Sequence, residues 1–130
     1  MPLALAEFQR VLAPGGFALI TCPDLQSVAA LIAANKLLEP AYTSPAGAIA
    51  PLDILYGHRP PMAAGNLYMA HRCGFTRDVL VATLQQAGFA HVAATQRSQV
   101  FDLWALATRQ PWPDDALKAA AARFIPGWGR

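Results

Sequence analysis

Apolar residues at Leu5, Phe8, Val11 and Leu12 fall on one helical stripe, so the spacing predicts a helix over residues 3–12. Pro14-Gly15-Gly16 stops it, a glycine there being free to take the left-handed conformation of a helix end. Phe17 to Thr21 is a short apolar run between Gly16 and Pro23, which predicts a buried strand. Asp24 then stands where an N-cap belongs, and Leu25, Val28, Ala29, Leu31, Ile32 and Leu37 continue with helical spacing to about Leu38. Between Pro40 and Pro61 five prolines and two glycines interrupt the pattern, leaving room for a short turn around Leu52 to Tyr56. A segment of that length without regular structure is usually a lid or a binding loop.

Thr76 can cap a further helix carrying Val79, Leu80 and Leu84, with Asp78 in its first turn and Gly88 at its end. Phe89 to Thr95 and Val100 to Thr108 read as two strands joined by the polar turn 96–99, a hairpin. A tail helix over about 113–125 places Leu117, Ala121 and Phe124 on one stripe before Pro126 and Gly127. No repeat or linker divides the chain, so one domain is expected over residues 1–130.

Composition narrows the function classes. Of 130 residues, 55% are apolar and 14% charged, which excludes a disordered polar chain and obliges much apolar surface to be buried. The net charge is +2 and its arginines are scattered, so no basic stripe points to nucleic acid. The opening Met-Pro-Leu-Ala has no cationic region followed by an apolar core, hence no signal peptide. The runs Val28 to Ala34 and Ala119 to Ala122 are too short to span a membrane. Cys22 and Cys73 form neither a C-x-x-C pair nor a disulfide framework, and a cytoplasmic location is the expectation.

Three segments carry a resemblance. Residues 5–16, LAEFQRVLAPGG, look like the L-x-E-x-x-R-V-L-x-P-G-G segment before the fifth strand of class I S-adenosylmethionine-dependent methyltransferases. Leu84, Ala87, Gly88 and Phe89 match that family's L-x-x-A-G-F before its sixth strand, and residues 101–107, FDLWALA, resemble its closing strand. The resemblance covers roughly residues 3–109. It implies the C-terminal half of a Rossmann-like α/β fold: a small mixed sheet made of one parallel-type strand and an antiparallel hairpin, with helices and an insertion over about 24–75. It further implies that the final strand lies beside the first, and that the helices at 3–12 and 76–87 cover one face.

The family's donor site departs from this chain. It uses a glycine-rich loop after the first strand and an acidic residue ending the second. Here the only G-x-G is Gly127-Trp128-Gly129, next to the C-terminus with no strand before it. S-adenosylmethionine is thus the family's cofactor, but no tight binding to this chain is expected. Two functions compete: the acceptor-side half of a methyltransferase whose other half is missing or separate, inactive alone, or a dimeric non-catalytic binding module.

In the family, the insertion after this strand covers the methyl acceptor. Here it gathers Tyr42, Asp53, Tyr56, His58, Arg59, Asn66, Tyr68, His71 and Arg72, the expected acceptor-binding set for a small molecule. Tyr56, His58, Asn66, Tyr68 and His71 are expected around one concavity, with His58 and His71 as candidate bases for a methyl-accepting group. His58, His71 and Cys73 fit no standard metal spacing, so no metal is assigned. His91 is expected to be structural, Trp104 core, and Trp112 and Trp128 contacts of a partner. Cys22 beside Asp24 admits a thiol-nucleophile reading, against which a strand-end cysteine is usually a small apolar residue. An unpaired edge on the first strand, together with so much apolar surface, predicts a homodimer in which two such strands pair antiparallel into one six-stranded sheet.

Overall fold

The computed structural model describes residues 2–129; Met1 and Arg130, the ends of the expected domain, lie outside the described residues. In chain order the elements are α1 (Pro2–Val11), β1 (Phe17–Pro23), α2 (Leu25–Ala33), β2 (Tyr42–Ser44), β3 (Gly47–Ile49), α3 (Pro51–Tyr56) and α4 (Arg59–Ala63). A 3-10 turn (Leu67–Met69), α5 (Arg77–Gln86), β4 (His91–Arg97), β5 (Asp102–Thr108) and α6 (Asp114–Phe124) complete the chain.

The main sheet has the order β1-β5-β4, and both pairings are antiparallel. The mixed sheet expected from sequence is therefore corrected. β1 and β4 run the same way, but β5 lies between them, so no two adjacent strands are parallel. The closing strand does sit beside β1, in the register Phe17 opposite Thr108 through Pro23 opposite Asp102. The one parallel link among the described residues is an isolated bridge between Asp24 and Phe75.

Side-chain alternation along β5 gives the sheet two apolar faces. Leu103, Ala105 and Ala107 pack with Leu5 of α1, Leu80 and Leu84 of α5, and Phe75 and Phe89, so α1 and α5 cover the same face. Leu106 points the other way, onto Ala121 of α6 and onto Ile125. The chain's own tail thus covers part of the second face, and Leu19 of β1, opposite Leu106, stays 42% exposed on it. Trp128 packs against this cluster, and Trp112 meets Phe17 edge-on at 5.7 Å, so both tryptophans make contacts within the chain. Trp104 packs against this core cluster as a half-buried residue, its Nε1 donating to Asp102 at 3.1 Å with Arg97 over its ring. Each fully buried leucine contributes about 2 kcal/mol of transfer free energy, and Leu84, Leu103 and Leu106 are all at 0% exposure.

Two departures from the sequence pattern shape the site. α2 stops at Ala33, not near Leu38, because Asn35 takes a left-handed φ of 60°. The Lys36 amide donates to Leu31 O at 3.0 Å and the Asn35 amide to Ile32 O at 2.9 Å, a Schellman end with asparagine in the glycine position. The expected irregular stretch after Pro40 is instead a β2–β3 hairpin followed by two short helices. Three of its five prolines open helices rather than break them. Pro51 is the first residue of α3, and Pro60 and Pro61 lie in the first turn of α4, where a missing N–H costs nothing. Val28, Ile49 and Ile54 form the small core that fastens this insertion to α2.

Candidate functional site at the carboxyl end of the first strand

β1 delivers the chain to a buried anchor. Asp24 is at 0% exposure and caps α2 as its sequence position predicts. Its carboxylate accepts from the Gln26 and Ser27 amides at 3.1 Å each, from the Ser27 hydroxyl, and from Gln96 Nε2 of β4 at 2.6 Å. The Asp24 amide donates to Phe101 O at 2.9 Å, and the Leu25 amide to Phe75 O at 3.0 Å. One residue thereby ties the strand end, α2, the hairpin and the returning insertion together.

The second anchor is Asp53, the third residue of α3. One carboxylate oxygen accepts from the Ala50 amide at 2.9 Å and Arg59 Nη2 at 3.1 Å; the other accepts from Arg59 Nε at 2.7 Å and the Arg59 amide at 3.2 Å. The Arg59 side-chain bonds hold the Asp53 carboxyl well below the usual carboxylate range, with backbone amides assisting against burial. Asp53 and Arg59, both in the expected acceptor-binding set, therefore clamp the ends of α3 and α4 to each other. Gly57 makes the next reversal with φ of 109°; a Cβ there would lie 2.0 Å from Met69 O, so only glycine lets the 3-10 turn approach α3.

The chain then passes back along α3. The His71 amide donates to Tyr56 O at 3.1 Å, and His71 Nδ1 lies 2.7 Å from Ile54 O. A carbonyl can only accept, so Nδ1 carries the proton and Nε2 of the neutral ring keeps a free lone pair. Between β1, the start of α2, α3 and the segment 70–75 lies a cavity of about 530 Å³, walled by Leu25, Ile54, Leu55 and Phe75 and carrying Tyr56, His71 and Arg72. Its size and apolar walls are those of a small-molecule site.

The nine residues expected to bind the acceptor are not one constellation. Tyr56, His71 and Arg72 share the cavity. Tyr42 lines a neighbouring recess of about 560 Å³ on the other side of Cys22, Pro23 and Ile54, stacked on Phe101 at 6.2 Å. Burial, with Asp102 and then Asp53 nearby, raises the Tyr42 hydroxyl's pKa. Tyr68 and Asn66 stand in solvent, and half-buried His58 precedes α4 without lining the cavity. The expected single concavity holding His58, Asn66 and Tyr68 is thus corrected: the 3-10 turn carries Tyr68 outward, with Asn66 at its start.

His91 opens β4, its Nδ1 accepting from the Trp112 amide at 3.3 Å, a structural role. Burial pushes the Cys22 thiol up to about 11, with Asp24, Cys73 and Asp102 adding to the effect, which disfavours the thiolate. No group of three or more His, Cys, Asp or Glu among the described residues could hold a metal ion. Sequence reasoning missed the walls, above all Leu25, Ile54 and Phe75; only the strand-end position of Cys22 and Pro23 pointed to this place. No family model matches the chain, and no match is found among curated proteins or solved structures.

Proposed function

We propose that this chain is the acceptor-binding half of a class I S-adenosylmethionine-dependent methyltransferase. The observation that carries the reading is the cavity at the carboxyl end of β1, the strand that would join the family's parallel sheet and end at its ligand crevice, with the closing strand β5 paired directly with β1. The residue matches before β1 and β4 support it. His71 would orient or deprotonate the hydroxyl or amine of the acceptor through its free Nε2.

The described residues do not fit the methyl donor. Gly127 and Gly129 follow α6 instead of joining a strand to a helix, and the Gly15-Gly16 turn lies at the amino end of β1, away from the cavity. A donor site would come from sequence beyond this half. A second reading, a dimeric binding module derived from the same ancestor, is favoured by one fact: α6 already packs on Leu106 and Ala93 of the second face. The outer edge of β1, with Leu19 at 42% exposure, would be the dimer contact.

Calorimetric titration with S-adenosylmethionine tests the reading, with no micromolar binding expected. A Kd in that range, about −8 kcal/mol, would place a donor site inside this chain and overturn the half-enzyme account. The reading frame upstream of Met1 separates the two functions. A glycine-rich strand–helix turn encoded there, with methyl transfer by the longer product, supports the enzyme; its absence leaves the binding module.

A further inference from the structure

We infer that the cavity at the carboxyl end of β1 binds a small apolar carboxylate carrying a hydroxyl, with the carboxylate on Arg72 and the hydroxyl at His71 Nε2. The inference deepens the proposed function by naming its acceptor class, and it rests on that reading only for what happens after binding.

Charge is the first argument. Among the residues lining the cavity, Arg72 alone carries a formal charge, and no carboxylate lines it. The ion pairs of the described residues engage Arg10, Arg59, Arg77 and Arg97, and Arg72 belongs to none. The nearby acids are committed elsewhere: Asp24 to Ser27 and Gln96, Asp53 to Arg59. Arg72 is exposed, so water partly screens its pull on an anion, but it is the one formal charge that the cavity lining offers. A guanidinium's planar fork matches the two oxygens of a carboxylate.

Shape and polarity supply the rest. The walls contributed by Leu25, Ile54, Leu55 and Phe75 offer no hydrogen bonds to a sugar or nucleotide, so the body of the ligand is apolar. Arg72 is exposed, which puts the anionic head at the mouth. His71, with Nδ1 spent on Ile54 O, presents Nε2 as an acceptor and so asks for a ligand N–H or O–H. Tyr56, 62% exposed, also lines the cavity.

The test is an amide-resolved NMR titration of the chain, under reducing conditions and without S-adenosylmethionine, using 6-hydroxy-2-naphthoate and the matching neutral 6-hydroxy-2-naphthamide. Saturable shifts are expected at His71, Cys73 and Phe75, with the acid bound at least tenfold tighter than the amide. Arg72→Gln should bring the acid down to the affinity of the amide and leave the amide unchanged, while Lys118→Gln, on the exposed side of α6, should change neither. If Arg72→Gln fails to fold, Arg72→Lys replaces it and should give intermediate discrimination. Equal binding of acid and amide, shifts confined to other surfaces, or no saturable binding would each overturn the inference. A longer protein that transfers no methyl group would remove the enzyme reading and leave this one standing.

Discussion

Replacing Asp53 by asparagine tests whether the insertion is held by one buried charge. The side chain is 4% exposed and its two oxygens accept four hydrogen bonds, three of them from Arg59. Asparagine keeps one oxygen and turns an NH2 toward donors, so two of the four bonds are lost and the ion pair disappears. A hydrogen bond to a charged group contributes about 1.5–3 kcal/mol, and breaking a buried pair costs about 3–5 kcal/mol. Arg59 is 48% exposed and can return to water, which places the expected loss lower, at about 2–3 kcal/mol. For a urea slope of about 1.3 kcal/mol/M, the unfolding midpoint should fall by about 2 M at pH 7.

The pH dependence follows from the depressed folded-state pKa of Asp53. Its contribution is fully present above the unfolded value of about 3.9 and is lost as pH falls toward the folded one, because the unfolded chain takes up the proton first. The difference between wild type and Asp53→Asn should therefore be constant from pH 7 to about 5 and shrink below about 4. Hydrogen exchange at the His71 amide, bonded to Tyr56 O of the same helix, should accelerate in the variant. A loss below about 0.5 kcal/mol, or a difference that does not change between pH 7 and pH 3, would refute the clamp.

Two further outcomes follow. With its thiol raised to about 11, Cys22 is about one-thousandth thiolate at pH 8; iodoacetamide should then alkylate exposed Cys73 and spare Cys22 until denaturant is added, and equal rates in the native protein would contradict the burial. Sedimentation at low micromolar concentration should show a dimer that Leu19→Lys dissociates, since Leu19 is the exposed apolar residue on the outer strand; a wild-type monomer there would refute the dimer and mean that residues 113–130 suffice to shield the sheet.

What could be read from the sequence divides by the range of the interaction. The helix stop at Pro14-Gly15-Gly16, the Asp24 cap, the turn before Phe89 and the hairpin of β4 and β5 depend on neighbours a few residues away, and each was legible. The sense of the sheet pairing was not, since strand direction is set by which distant strand intervenes. Nor was the cavity, because its walls meet through the Asp24–Phe75 bridge across half a hundred residues of insertion. Polar side chains in that insertion looked like a ligand-binding set for a reason that its short helices explain. A helix of five or six residues is nearly all ends, and every end leaves amides and carbonyls that need partners. Asp53 answers the amino ends of α3 and α4, and His71 answers the last carbonyls of α3. Concentrated polarity in an apolar chain therefore first measures backbone demand. Recognition has to be sought in what that demand leaves over, and among the residues lining the cavity this is the Nε2 side of His71 and the side chain of Arg72.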